Sequence, residues 1–222
     1  MNSLDPNEHR EGQEQLISFK MLRRAIGFLG LLFPLILIIG ANWIHDCPVV
    51  LQSVSGYYHT HMRQIFVAVM VTISIFLFVY DGYDFTDSVL AKMASVFALG
   101  IAFFPTDIES NDVACLVYAV PTNQTLHMTS AIAFFLILTY FALFQFRKTG
   151  PGRPSIQKNR RNTIYLICGL LMLLSILLIG LYFLIQDKLP PFPYVFALEW
   201  IALAAFGVSW IVKGEFILAD NS

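Results

Sequence analysis

Charge is scarce in this sequence. Only 13% of its 222 residues are Asp, Glu, Lys or Arg, against ~25% in a soluble domain, which excludes an ordinary water-soluble globule. The common catalytic signatures are also missing. There is no phosphate-cradling P-loop, no G-x-S-x-G, no H-E-x-x-H and no C-x-x-C. Those absences argue against nucleotide hydrolysis, elbow-type serine hydrolysis, zincin chemistry and a dithiol redox centre. With three cysteines there is no disulfide-rich scaffold. No apolar segment holds a G-x-x-x-G pair, the commonest signature of close helix association in lipid. Charges within the apolar segments are too few for a proton relay, and no paired broken helices of the transporter kind are visible. A net charge of −1 provides no basic footprint for nucleic acid.

What fills the chain is apolar sequence: 57% hydrophobic residues and a mean hydropathy of +0.66. It falls into six segments, 25–44, 65–83, 88–105, 126–146, 163–185 and 192–212. A helix of ~20 residues crosses a bilayer core, so the segments predict an all-α bundle of six transmembrane helices. The domain spans 21–217, with a polar tail at 1–20, a short interfacial helix within it at Leu16–Leu22, and a tail at 218–222. The first apolar stretch is longer than the ~7–15 residues of a signal-peptide core and no A-x-A-like site follows it. Basic residues sort by side. Arg10, Lys20, Arg23, Arg24, Lys92, Arg147, Lys148, Arg153, Lys158, Arg160, Arg161 and Lys213 fall on one face, and only Arg63 and Lys188 on the other. The positive-inside rule then places both termini in the cytoplasm of a multi-pass protein in a cell membrane: a bacterial inner membrane, or an endomembrane in a eukaryote.

Two links on the outer face, 45–64 and 106–125, are long, and loops of about twenty residues usually bind or cover something. Cys47 and Cys115 lie one in each, on the oxidising side, so a disulfide between them and two free thiols are both open. Cys168, inside the fifth segment, is expected to pack as a small apolar residue. Pro34 predicts a kink in the first helix. Asp87, or Thr86 or Ser88, is the expected cap of the third. Trp43, Tyr57, Tyr58, Tyr80, Tyr83, Tyr194, Trp200 and Trp210 suit interfacial belts. Asn123-Gln-Thr125 forms a glycosylation sequon, relevant in a eukaryote.

The candidate chemistry also maps to the outer face. His45, His59, His61 and His127 are there, with Asp46, Asp107, Glu109 and Asp112. Glu199 lies ~10 Å inside the sixth span at about 1.5 Å per residue. A carboxylate at that depth is costly unless it is paired, protonated or wetted, and His127 and Arg63 are its expected partners by depth. The stretch Ser55-Gly-Tyr-Tyr-His-Thr-His-Met-Arg63 is the densest polar and aromatic run, and Tyr58 within it is an expected anchor. His59, His61, His127 and Glu199 provide a zinc-like ligand set. Arg63 has the geometry for a lipid phosphate. Asp81, Asp84 and Asp87 read as solvated turn carboxylates, and the basic run 147–161 as a topogenic signal that also attracts anionic lipid.

Several local features resemble the six-span family of damage-regulated autophagy modulators and their lipid-remodelling relatives. They are Arg63-Gln-Ile-Phe66 opening span two, His127-Met-Thr-Ser-Ala131 opening span four, Glu199-Trp200 in the last span, and Gly214-Glu215-Phe216 after it. Ser53-Val-Ser-Gly56 stands where that family carries an I-S-D-x-G signature. The resemblance implies lipid handling or regulation. A second one, to the ceramidase-like seven-span metal hydrolases, rests on Ser55-x-x-x-His59, Asp81 or Asp84 and a later His, and implies zinc. The chain departs from it in having Glu199 and no histidine in its last span. Two functions are therefore expected: a membrane protein without a cofactor that binds, organises or regulates lipid through Arg63, His127, Glu199 and Tyr58, or a zinc-dependent lipid hydrolase or amidase built on His59, His61, His127 and Glu199.

Overall fold

The computed structural model describes residues 6–45, 47, 50–80, 82, 84–108, 115–149 and 153–219, with the side chains of 6–18, 44 and 45 left out. Asp46, Asp81, Tyr83, Glu109 and Asp112, and the side chains of Arg10 and His45, lie outside the described residues. The described chain is helical. α1 runs Pro6–His45, α2 Arg63–Phe78, α3 Phe85–Phe103, α4 Gln124–Tyr140, α5 Ile156–Ile185 and α6 Tyr194–Lys213. α4 continues into a π-helical turn, Phe141–Gln145. Short 3-10 turns occupy Ser55–His59 and Gln186–Lys188.

Five of these helices are long and apolar enough to cross a membrane, whereas α2 is a shorter apolar helix of 16 residues, or ~24 Å of rise. The protein is thus an all-α, multi-pass membrane bundle. The apolar run behind α2 reads on to residue 83, yet the helix stops at Phe78. Just beyond that end, Tyr80 turns inward and stacks edge-on against Trp210 and Phe141 at centroid distances of 5.2 and 6.1 Å. Residues expected as a loose tail with a separate short helix are instead continuous with α1 from Pro6. α5 begins seven residues ahead of its apolar run because Ser155 caps it, its hydroxyl accepting the Lys158 amide at 2.9 Å. The cap of α3 is Asp84, which accepts the Asp87 amide at 3.0 Å, and not Asp87, Thr86 or Ser88. Asp84 also pairs with Lys148 at 2.6 Å. That ammonium, then the Asp87 amide, hold the Asp84 carboxyl below its ordinary range.

In lipid, apolar burial does little to hold helices together, so close packing and internal hydrogen bonds must do so. α6 packs between α1 and α5, and α2, α3 and α4 pack in sequence order. Gly27 of α1 faces Gly207 of α6, and a Cβ on Gly27 would lie 2.7 Å from the Gly207 carbonyl oxygen. The two backbones therefore touch without any G-x-x-x-G spacing. Ser74 and Ser95 bind each other at 2.9 Å between α2 and α3. Tyr57, Tyr58, Tyr80 and Trp210, expected in interfacial belts, are buried. The last two belong to a ring cluster with Phe141, Phe146 and Tyr165. Trp43 is exposed, as a belt residue should be. Cys168 is a buried free thiol.

The basic residues close one end. Arg24 Nε donates to the Gly214 carbonyl at 2.8 Å, Lys20 pairs with Glu215 at 2.6 Å, and Arg161 donates to the Leu218 carbonyl at 2.6 Å. Cations on the last carbonyls of a helix satisfy acceptors that its hydrogen-bond ladder leaves open. The segment after α6 is thereby folded back over the basic end, and the long links gather at the far end.

Candidate functional site

The first long link folds into the far end of the bundle as a plug. Every residue of its 3-10 turn, Ser55–His59, is buried. A buried loop must satisfy its own backbone groups, and this one does so against two other elements, α6 and the second link. The Gln52 carbonyl accepts the Phe196 amide at 2.8 Å at the start of α6. The His59 carbonyl accepts the amides of Val117 and Tyr118 at 2.9 and 3.0 Å from the second link. Cys47 and Cys115 are disulfide-bonded, with their Cα atoms 5.4 Å apart, so the two links are also joined covalently.

Glu199 anchors the plug to α6. Its Oε2 accepts the Val54 amide at 2.6 Å, and the Ser55 amide also donates to the carboxylate. Backbone donors, and not Arg63 or the His127 ring expected by depth, are its partners. His127 stands one residue further along the plug. Its Nδ1 lies 2.7 Å from the Phe104 carbonyl oxygen and its Nε2 lies 3.0 Å from Ser55 Oγ. A carbonyl oxygen can only accept, so Nδ1 carries the hydrogen and the neutral ring presents Nε2 to the Ser55 hydroxyl as an acceptor. Ser55 thus touches both candidates: its amide faces Glu199 and its hydroxyl faces His127.

The remaining candidates are elsewhere. Arg63 donates to the Tyr58 hydroxyl at 2.9 Å and lies over the rings of Tyr58 and Tyr118. Both ring nitrogens of His59 face carbonyl oxygens, Thr106 at 2.8 Å and Tyr118 at 3.1 Å. His61 is exposed, edge-on to Tyr118. No group of three His, Cys, Asp or Glu side chains converges on a metal position among the described residues. The rings of His59 and His127 meet protein atoms at both nitrogens.

A cavity of about 200 Å³ opens beside Ser55, His127 and Glu199. Its polar end includes Gln52, Thr106, Asp107 and Gln124; its apolar sides come from Met128, Ile132 and Phe135 of α4 and Ile176, Ile179 and Phe183 of α5. The shape follows from two glycines of α5. Toward the basic end a Cβ on Gly169 would run into the Leu143 side chain, whereas at Gly180 nothing stands within 4 Å of that position. α5 is thus in close contact beside Leu143 at Gly169 and has open space at Gly180, which borders the cavity. A smaller space of about 40 Å³, walled by Phe33, Met70 and Leu203 among others, lies across Ser55 and Glu199 from it.

The chain matches no family model, no curated protein and no solved structure.

Gln124 and Thr106 carried no weight as site residues in the sequence, and Ser55 entered only through the Ser55-x-x-x-His59 resemblance. Gln124 Oε1 accepts the Thr106 hydroxyl at 2.7 Å and the Asp107 amide at 2.8 Å. An amide N–H can only donate, so this fixes the orientation of the Gln124 side chain and turns its –NH2 group away from those two partners. No sequence spacing announces such contacts, because Ser55 and His127 are 72 residues apart.

Proposed function

We propose that this integral membrane protein binds a lipid at its far end, the outer face by the charge rule, with the polar portion against Ser55, His127 and Gln124 and an acyl chain between α4 and α5. The observation that carries the reading is the amphiphilic cavity: polar groups at one end, α4 and α5 hydrocarbon along the sides, and a gap at Gly180. At about 200 Å³ it is smaller than the ~300–1,000 Å³ of a site that encloses a whole drug-sized ligand. It takes the polar junction and the first part of a chain. The rest runs along the exposed apolar face of α5, where Leu177, Leu181 and Leu184 already face outward.

The lining also selects the headgroup. Asp107 and Glu199 border the cavity, and among the described residues no Lys or Arg does. Such a site disfavours a bare anionic phosphate and favours a neutral polar group, such as an ester, hydroxyl or amide, that exchanges hydrogen bonds. Arg63, the phosphate clamp expected from the sequence, is engaged with two tyrosines outside this cavity. The resemblance to lipid-remodelling proteins implies the same ligand class. The test is photo-crosslinking of purified protein with a photoactivatable diacylglycerol and, separately, phosphatidic acid. The neutral lipid should crosslink within the cavity and the anionic one should compete poorly. Equal labelling by both would contradict the headgroup assignment.

A further inference from the structure

We propose that Ser55 and His127 form a nucleophile–base pair that cleaves an ester of the bound lipid; the proposal rests on the lipid-binding reading above. The geometry has the parts that activate a serine. The hydroxyl and the base are 3.0 Å apart, within hydrogen-bond reach. The base is held by a third group, since the Phe104 carbonyl takes Nδ1–H at 2.7 Å. That contact does what a carboxylate does in a triad: it fixes the tautomer and keeps Nε2 aimed at the hydroxyl. A carbonyl is a weaker partner for an imidazolium than a carboxylate, so a slow enzyme is expected. Both side chains are largely buried, Ser55 at 8% exposure and His127 at 3%, yet both border the cavity, so the ester meets them away from bulk water. Gly56 follows the serine with no side chain to screen it.

The chemistry closes without a metal. Ser55 Oγ attacks the ester carbonyl carbon while its proton passes to His127 Nε2. The tetrahedral adduct collapses, the bond from carbon to the glycerol oxygen breaks, and Nε2–H returns that proton to the departing alkoxide. Water then attacks the acyl-serine, giving a proton to Nε2. The bond to Ser55 Oγ breaks, the proton returns to Oγ, and a free fatty acid leaves. Gln124, with its oxygen fixed by Thr106 and Asp107, offers its –NH2 group on the cavity wall to the developing oxyanion. Glu199 is a positioning residue: by holding the Val54 and Ser55 amides it sets where Oγ stands.

The experiment uses the full chain in lipid nanodiscs, with a fluorescent fluorophosphonate as the serine probe and release of labelled fatty acid from a neutral diacylglycerol as the turnover readout. Crosslinking by the photoactivatable diacylglycerol runs in parallel as the binding readout. The wild-type protein should label at Ser55, mapped by peptide mass spectrometry, and release fatty acid. Ser55→Ala should lose label and at least ~100-fold of turnover, and His127→Gln a similar factor from lost general-base catalysis, while the lipid crosslink, held chiefly by the α4 and α5 hydrocarbon, falls by no more than a few-fold in each. Ser55→Cys, a close steric match, guards against a folding effect: it should crosslink lipid within a few-fold of wild type and react with an alkylating thiol probe faster than its double variant with His127→Gln. Wild-type protein that crosslinks lipid but neither labels nor turns over would overturn the catalytic proposal and leave lipid binding standing. Absence of the crosslink in wild type would overturn both. Labelling at a different residue, or turnover that survives Ser55→Ala, would overturn the assignment of Ser55.

Discussion

Glu199, inside α6, accepts the backbone amide of Val54 at 2.6 Å across 145 residues of sequence. A carboxylate within a membrane span is tolerated when donors replace its lost water, and here the donors are main-chain groups of a folded-in loop. The residue therefore holds the plug in place. Glu199→Gln keeps an oxygen to accept one amide and loses the charge-assisted part of the bond. Since charged hydrogen bonds contribute ~1.5–3 kcal/mol and neutral ones ~0.5–1.5, Gln should cost about 1–2 kcal/mol. Glu199→Ala leaves buried amide donors without an acceptor and should cost about 2–4 kcal/mol. Thermal unfolding in a mild detergent reads both, with Ala well below Gln. Equal midpoints for the two variants would show that the amide contacts carry little.

The Cys47–Cys115 bond closes a loop of 68 residues. Its chain-entropy contribution is up to ~4 kcal/mol, reduced here because the plug is also fixed by Glu199, His127 and the His59 carbonyl. Cys47→Ser should therefore lower the unfolding midpoint while leaving the fold intact, and reductant should shift wild-type mobility on a non-reducing gel but not that of the variant. A variant as stable as wild type would mean that the non-covalent contacts alone hold the two links.

α2 decides the sidedness. If all six helices cross, Phe85 and Ser155 lie on the same side as the N-terminus and Thr125 lies opposite. Single-cysteine labelling at these positions in intact membranes should show Phe85→Cys and Ser155→Cys protected from an impermeant reagent and Thr125→Cys reactive. The native background is low, because Cys47 and Cys115 are bonded and Cys168 is buried. Labelling of Phe85→Cys from outside would show that α2, at 16 residues, turns back without crossing.

The Asp84–Lys148 pair makes a modest pH signature. Asp84 has a lowered pKa, chiefly from Lys148, so its contribution is present above the ordinary carboxylate range and fades as pH falls through the lowered value. Lys148 has a raised pKa, chiefly from Asp84, so its share fades as pH climbs through that raised value. Stability should be flat through neutral pH and drop at both extremes. Lys148→Gln should remove part of both slopes in a thermal-midpoint series against pH. Since both side chains are 45% exposed, salt should shrink the difference.

The helices were legible because apolar segments of about twenty residues match the thickness of a bilayer core and permit few alternatives. Where α2 ends was not, since Tyr80 belongs to the same apolar run yet lies beyond the helix, turned inward against Trp210 and Phe141. Glu199 stood out by its depth, but its partners are backbone amides, which no side-chain pattern encodes. Ser55 entered the sequence reading only beside His59, because no spacing shows that His127, 72 residues later, comes within hydrogen-bond distance. Spacing also cannot show that both nitrogens of His59 face carbonyl oxygens.

Lipid occupancy of the cavity is most directly measured by mapping crosslinks from a photoactivatable diacylglycerol, in wild type and in Gly180→Trp. Gly180 has open space where a side chain would begin, so a tryptophan fits the helix and fills the gap between α4 and α5. The account predicts adducts at Met128, Phe135 or Ile179 in wild type and at least a ~10-fold loss of them in the variant, with the unfolding midpoint unchanged. Adducts confined to the outward leucines of α5, or cavity adducts undiminished by the tryptophan, would contradict it.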